Sequence, residues 1–257
     1  MTPFGFFTSC DVRIDAITMD DAVELLLNGK AVGAVHLCNA YTLSLVSHNS
    51  GLASALGRGS LNLPDGKPLI WIARRLGFTH MTRRVYGPEL MQRTIEAGQS
   101  AGTRHYLYGS TPDVLERLQT HIASTWPDAV LAGAESPPFG EFSGPQLDEV
   151  ASRFDAVRAD IVWVGLGTPK QDLVTDELAR RSSATYIAIG AAFDFLAGTK
   201  QQAPKWIREH GLEWAFRFAT EPRRLWKRYL VGNSVFIFRN LRTRPRRSET
   251  TRDPTLG

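Results

Sequence analysis

The chain has 257 residues, 43% of them apolar and 22% charged, with 22 Gly and 14 Pro. That composition buries a core and excludes disorder over most of the length, in one large domain or a domain with an appendage. Two cysteines, Cys10 and Cys38, exclude a disulfide scaffold and a cysteine-based zinc site and point to a reducing compartment. The net charge of +4 is unevenly spread: nine of the 30 Lys and Arg residues fall between Pro222 and Ser248, a stretch with no Asp or Glu, so the body ahead of it is net acidic. A basic block of this kind is a footprint for an anionic partner.

In chain order, Met1 to Cys10 lacks the basic and then apolar regions of a signal peptide, so a cytoplasmic protein is expected. Ala31 to Gly57 carries no charged residue, yet His36, Asn39, His48 and Asn49 make it a buried core segment rather than a lipid-facing helix. Strand-length apolar runs predict strands at Ala34–Asn39, Arg104–Tyr108, Val130–Ala134, Ile161–Gly165 and Thr185–Ile189. Helical periodicity predicts helices over Leu43–Leu56, Leu69–Leu76, Pro88–Gln99, Pro112–Ser124, Gln146–Val157 and Gln171–Arg181. This alternation predicts an α/β fold of Rossmann-like parallel β-α units. The strand signal ends after Gly198. The expected division is an α/β catalytic domain over 1–200, a helical appendage over 201–241 and a disordered tail over 242–257.

Ligands of open parallel sheets sit beyond the carboxyl ends of the strands, where helix N-termini favour anions. The turns there are Asn39-Ala40-Tyr41, Gly109-Ser110-Thr111, Gly165 to Gln171 and Gly190 to Asp194. Three of the four contain glycine, which suits a phosphate or nucleotide. Gly165-x-Gly167 lacks the third glycine of a dinucleotide fingerprint, and neither a phosphate-binding P-loop nor a Gly-x-Ser-x-Gly elbow occurs. The six histidines show no metal-ligand spacing, and no Asp-x-Asp pair is present to hold a metal on a diphosphate. A diphosphate would then be neutralised by arginines, backbone amides and helix dipoles.

In the basic block, Leu225, Trp226, Tyr229, Leu230, Val231, Val235, Phe236, Ile237 and Phe238 interleave with the cations. The longest uncharged run, Tyr229 to Phe238, has 10 residues, where a bilayer needs about 20. Such a segment can lie on an anionic membrane surface, or dock on the protein's own core with a solvated basic face.

The ordered set Asn39, Leu63-Pro64-Asp65-Gly66, Arg84-x-x-Gly87-x-x-Leu90, Gly165-x-Gly167-x-Pro169-Lys170-Gln171, Gly190-x-x-Phe193-Asp194-x-x-x-Gly198, Ala203-Pro204, Leu212-Glu213-Trp214-x-x-Arg217, Glu221-Pro222-x-Arg224 and Arg228-Tyr229 resembles the WecG/TagA/CpsF glycosyltransferases of bacterial surface-polymer synthesis. The resemblance covers about residues 30 to 232. It implies an inverting, metal-independent transfer of a hexosyl residue of ManNAc, ManNAcA or glucosyl type from a UDP-sugar to a polyprenyl-diphosphate-linked saccharide. The setting it implies is the inner face of the cell membrane, and the UDP-sugar is a substrate, with no cofactor. It further implies Asp65 as general base and Arg217, Arg224 and Arg228 on the nucleotide diphosphate. Leu37 stands where the family often has Thr, and Asp172 where Glu commonly follows the glutamine.

The residues allow these roles. Asp65, between Pro64 and Gly66, sits on a tight loop that can present a carboxylate, although Pro-Asp-Gly is also an ordinary turn. Asn39 can bind a sugar hydroxyl, orient Asp65 or simply cap a helix. Gln171 offers both a donor and an acceptor to hydroxyls, Lys170 can meet a phosphate or solvent, and Asp194 is a second acid-base candidate or a structural cap. Gly66, Arg84, Gly109 and Gly167 complete the candidate donor and acceptor contacts. Two other readings predict different behaviour. A nucleotide-sugar modifying enzyme of another reaction class would turn over donor without a lipid acceptor, and a nucleic-acid-binding module would give Asp65 no role. The expected partners are a UDP-sugar, a lipid-linked saccharide and an anionic membrane, not nucleic acid.

Overall fold

A computed structural model of the chain describes residues 4–29, 32–138, 140–204, 206–207, 213–226 and 231–248, apart from the side chains of Arg217, Arg224 and Leu225. Six parallel strands form the central sheet in the order β4-β3-β8-β7-β5-β6. They are β3 (Gly33–Cys38), β4 (Leu61–Pro64), β5 (Arg104–Gly109), β6 (Val130–Glu135), β7 (Ile161–Gly165) and β8 (Thr185–Ala188). Five of these six strands match the apolar runs within one residue at each end, and helices alternate with them, so the α/β Rossmann-like arrangement is the observed one.

Helices cover both faces of the sheet. On one face α1 (Met19–Leu27), α5 (Gly87–Gly98), α6 (Pro112–Thr125) and α9 (Ala192–Leu196) share an apolar cluster with the strands, centred on Leu90, Leu107, Trp163 and Phe193. On the other, α7 (Gly144–Ala156) and α8 (Lys170–Ala179) pack Phe154 and Leu178 against Tyr108 and Tyr186. There too α2 (Ala40–Leu45), α3 (Ser50–Arg58) and α4 (Lys67–Arg75) enclose Leu43, Leu52, Leu56 and Leu69. Strands buried on both faces read as continuous apolar runs, which is why those at β3, β5 and β7 stand out in the sequence.

The structure departs from expectation at several places. The helix expected over Leu43–Leu56 is broken: a single turn of 3-10 helix at Val46–His48 ends α2, and the Asn49 side chain accepts from Leu52 N at 2.8 Å to start α3. β4 is a short strand with no counterpart in the periodicity. Neither has α1, which Thr18 and Asp21 begin as a reciprocal cap. Before it, β1 (Phe6–Ser9) and β2 (Val12–Asp15) form a hairpin. Cys10 and Asp11 at its tip both have positive φ, 53° and 64°, the backbone whose twist matches the flanking strands.

After Gly198, residues 199–204 are irregular, so the expected helical appendage does not begin at 201; the helices that follow are α10 (Glu213–Thr220), α11 (Pro222–Trp226) and α12 (Gly232–Thr243). Of the tail expected to be disordered, 249–257 lies outside the described residues, and within 242–248 the chain completes α12 and forms a strand. β9 (Arg247–Ser248) pairs antiparallel with Phe6 and Phe7 of β1, and Thr8 N donates to Arg246 O at 2.9 Å. α12 lies against α2, where a side chain on Gly232 would meet Tyr41 and Ser44. The hairpin tip holds it from the other side: Ser9 Oγ donates to Asn240 Oδ1 at 2.9 Å, Asn240 Nδ2 donates to Cys10 Sγ at 3.2 Å, and Arg239 pairs with Asp11 at 2.9 Å. Among the described residues no helix is long and apolar enough to cross a membrane.

Candidate active site

The pairing of β3 with β4 sets Cys38 beside Pro64, so the residues that follow, Asn39 and Asp65, leave the sheet side by side. Asp65 N donates to Cys38 O at 2.8 Å, which extends the ladder one step into the loop. A Cβ on Gly66 would lie 3.6 Å from that of Asn39, so the two turns are in close contact. Asn39 Oδ1 accepts from Tyr41 N at 3.0 Å and Thr42 N at 3.1 Å and thereby caps α2. The cap fixes the orientation of the amide of a residue that lines the cleft.

Val85 N donates to Pro64 O at 2.9 Å, bringing Arg84 to the same corner. Its guanidinium approaches Asp65 Oδ1 at 3.8 Å, forms an ion pair with Glu213 of α10 and stacks over the Tyr86 ring at 4.3 Å. Tyr86 Oη donates to Glu213 Oε1 at 3.5 Å and accepts from Gln202 Nε2 at 3.5 Å. Burial pulls the Arg84 pKa down, but the Asp65 and Glu213 carboxylates outweigh it and the net shift is upward. Arg84 is therefore a fixed positive charge at this corner.

The opposite wall comes from the ends of β7 and β8. Gln171, buried at the start of α8, accepts from Gly167 N through Oε1 at 2.9 Å, and a Cβ on Gly190 would lie 3.5 Å from its Nε2. One amide thus braces the Gly167 turn and lies against Gly190. The Thr168–Pro169 peptide between them is cis. Asp172 faces the core rather than the cleft, with its Oδ1 3.1 Å from His36 Nδ1 of β3. Leu37 lines the cleft. Asp194 also lines it and is held by Lys200 at 2.7 Å.

These elements enclose a cleft of about 1400 Å³ beyond the carboxyl ends of β3, β4, β7 and β8. It brings together Asn39, Asp65, Gly66, Arg84, Gly167, Gln171 and Asp194 of the expected residues. Gly109 and Lys170 are not among them. Gly109 backs onto Gly165 behind the wall, and Lys170 reaches away to Gly140 O and the Phe142 ring. Arg228 lies outside the described residues, and Arg217 and Arg224 are placed only as positions on α10 and α11. The cleft also recruits residues to which the sequence assigned no role: Lys67, Trp71, Ser110, Lys200 and Glu213. Among the described residues no three or more His, Cys, Asp or Glu side chains gather as a metal site would need.

A parallel sheet with a large, charged cleft at its carboxyl edge is the layout of an α/β enzyme that binds an extended polar ligand. The model of the glycosyl transferase WecG/TagA/CpsF family matches residues 7–250, nearly the whole chain, and the chain belongs to that family. The protein is a glycosyltransferase of cell-surface polysaccharide biosynthesis.

Proposed function

We propose that this glycosyltransferase moves a hexosyl residue of ManNAc, ManNAcA or glucosyl type from a UDP-sugar to a polyprenyl-diphosphate-linked saccharide, with inversion, without a metal ion, and at the inner face of the cell membrane. The observation that carries the reading is the Asp65 carboxylate at the corner where the two strand-end turns and Arg84 meet. In the reaction, Asp65 takes the proton from the acceptor hydroxyl as its oxygen bonds to the anomeric carbon. The bond from that carbon to UDP breaks on the opposite face, and the electron pair leaves with the diphosphate. Arg217, Arg224 and Arg228 would neutralise that leaving group.

Arg84 reaches Asp65 at 3.8 Å, while the other two carboxylates of the described lining are hydrogen-bonded to cations, Asp194 to Lys200 and Glu213 to Arg84, which suits those two to structure more than to proton transfer. Membrane association draws support from α12, which leaves Ile237, Phe238 and Leu241 exposed beside Arg242. The test incubates the protein with UDP-sugars and short-chain polyprenyl-diphosphate saccharides and reads product mass and anomeric configuration, with and without chelator. Asp65→Asn is expected to bind donor and transfer at least about 100-fold more slowly. Near-normal transfer by that variant, a retained configuration, abolition by chelator or turnover of donor with no acceptor would each overturn the corresponding part.

A further inference from the structure

Four cations line the cleft among the described residues, and they fall into two pairs. Arg84 and Lys200 are bound to carboxylates of the lining. Lys67 and Arg75 form no ion pair or side-chain hydrogen bond with any described residue, although they stand in the same cleft. Both belong to α4, at the first and last positions of the helix. Trp71 lies midway between them. Spacings of four residues place all three on one helical stripe, a cation, an indole and a cation in line.

Trp71 is 64% exposed even though it lines a cavity. A large aromatic side chain left open between two unengaged cations marks a surface built to be covered. Across the cleft, α12 presents Ile237, 58% exposed, and one turn further on Leu241 at 73%. The apolar strip therefore continues from the cleft to the outside of the molecule. The stripe begins two residues after Asp65, at a helix N-terminus with no side-chain cap, where an anion gains from the helix dipole as well as from the ammonium group.

A ligand that satisfies this order of groups has a saccharide at Asp65, then negative charge, then a long apolar chain. We propose that the Lys67–Trp71–Arg75 face of α4, opposed by Ile237, seats the lipid of the acceptor: its diphosphate at Lys67, its first isoprene units along Trp71 and Ile237, and its exit past Arg75. The inference rests on the reading of the substrate as a polyprenyl-diphosphate-linked saccharide. The uracil ring of a nucleotide donor can also stack on Trp71, but it has no chain to continue past Ile237 to Leu241, and the response of UDP affinity to Trp71→Ala separates the two.

Calorimetry on the full-length protein tests this with farnesyl diphosphate as the probe, and with inorganic diphosphate and UDP as separate arms. Farnesyl diphosphate is expected to bind at least about 10-fold more tightly than inorganic diphosphate, the scale set by covering a few methylene groups. Trp71→Ala and Lys67→Gln are each expected to weaken farnesyl diphosphate about 10-fold and to leave UDP affinity within about twofold. All three side chains of the stripe are at least partly exposed, so unfolding midpoints should be unchanged, which separates lost binding from lost structure. Wild-type binding of farnesyl diphosphate by both variants overturns the proposal, as does a parallel loss of UDP affinity, which would give the stripe to the donor. Weaker sedimentation with anionic vesicles at unaltered farnesyl diphosphate affinity would make the face a membrane contact and also overturns it. If the wild type binds and discriminates farnesyl diphosphate but ignores UDP, the seat stands and the proposed donor fails.

Discussion

Arg84 and Glu213, 129 positions apart in the chain, are joined by a hydrogen-bonded ion pair at the inner edge of the cleft. The contact ties α10, and with it the C-terminal segment, to the corner that presents Asp65. Glu213→Ala leaves a largely buried guanidinium with Asp65 as its remaining described carboxylate neighbour. A fully orphaned buried charge costs roughly 3–5 kcal/mol. With Asp65 still 3.8 Å away, the expected loss is about 2 kcal/mol, read as a lower urea midpoint at unchanged slope. Glu213→Gln keeps an acceptor for Arg84 and should lose about half as much. Equal losses from the two variants would show that a neutral acceptor contributes nothing and that the whole effect is charge.

Glycines behind and within the wall should respond differently to the same methyl group. At Gly109, φ is +125° and a Cβ would lie 2.5 Å from Gly165 O, a backbone atom that cannot move aside. Gly109→Ala is expected to cost about 3 kcal/mol through strain and overlap together. At Gly167, φ is +78° and a Cβ meets nothing within 4 Å, so Gly167→Ala should cost only about 1 kcal/mol. Denaturant titration of the two variants checks the order.

His105 gives the fold a specific acid sensitivity. Burial pushes its pKa from 6.5 down to about 4, only partly opposed by Asp160, and its Nδ1 accepts from Trp163 Nε1 at 3.3 Å. The unfolded chain binds a proton at this residue below about pH 6.5 while the folded chain does not. Its contribution is thus complete above the unfolded pKa and disappears as the pH falls toward 4, a loss of about 3 kcal/mol. His105→Asn keeps an acceptor for Trp163 and cannot titrate. Its unfolding free energy should fall less steeply between pH 7 and 4.5 than that of the wild type, and equal slopes would remove His105 as the cause.

Both cysteines should be chemically silent in the folded protein. Burial raises Cys10 to about 11, and burial, reinforced by Asp172, Asp15 and Asp65, raises Cys38 well above its usual value. Neither forms appreciable thiolate at neutral pH. A thiol reagent at pH 8 should modify neither until denaturant is added, and then both. Rapid labelling of one thiol without denaturant would contradict this.

What local pattern could reveal was largely the sheet. β3, β5 and β7 read as mostly apolar runs of five or six residues because both faces are covered, even with His36 and His105 buried in them, whereas β4 has only four residues and buries Asn62 between Leu61 and Leu63. Asn62 Nδ2 donates to Arg13 O and Leu56 O, partners that the strand itself does not disclose. The helix break at Asn49 was written in the sequence as a capping residue inside an uncharged run. In the site, the adjacency of Asn39 and Asp65 follows from strand register, and the Arg84–Glu213 pair from chain closure, neither of which has a local signature. Lys170 and Gln171 were both expected at the ligand, but successive residues on a helix point about 100° apart, and Gln171 holds the inward position.

The pairing of β9 with β1 changes how the C-terminal helices are to be regarded. They are not an arm hung from the body at one shoulder but a strap buckled at both ends, by Glu213 on Arg84 at one end and by β9 and the hairpin tip at the other. Glu213, Trp214, Asn233, Phe236 and Ile237 of these helices line the cleft, so one of its walls is tied down by contacts that the first few residues of the chain make. A change at Ser9 or Asp11, far from Asp65 in the sequence, would therefore be felt at the mouth of the cleft.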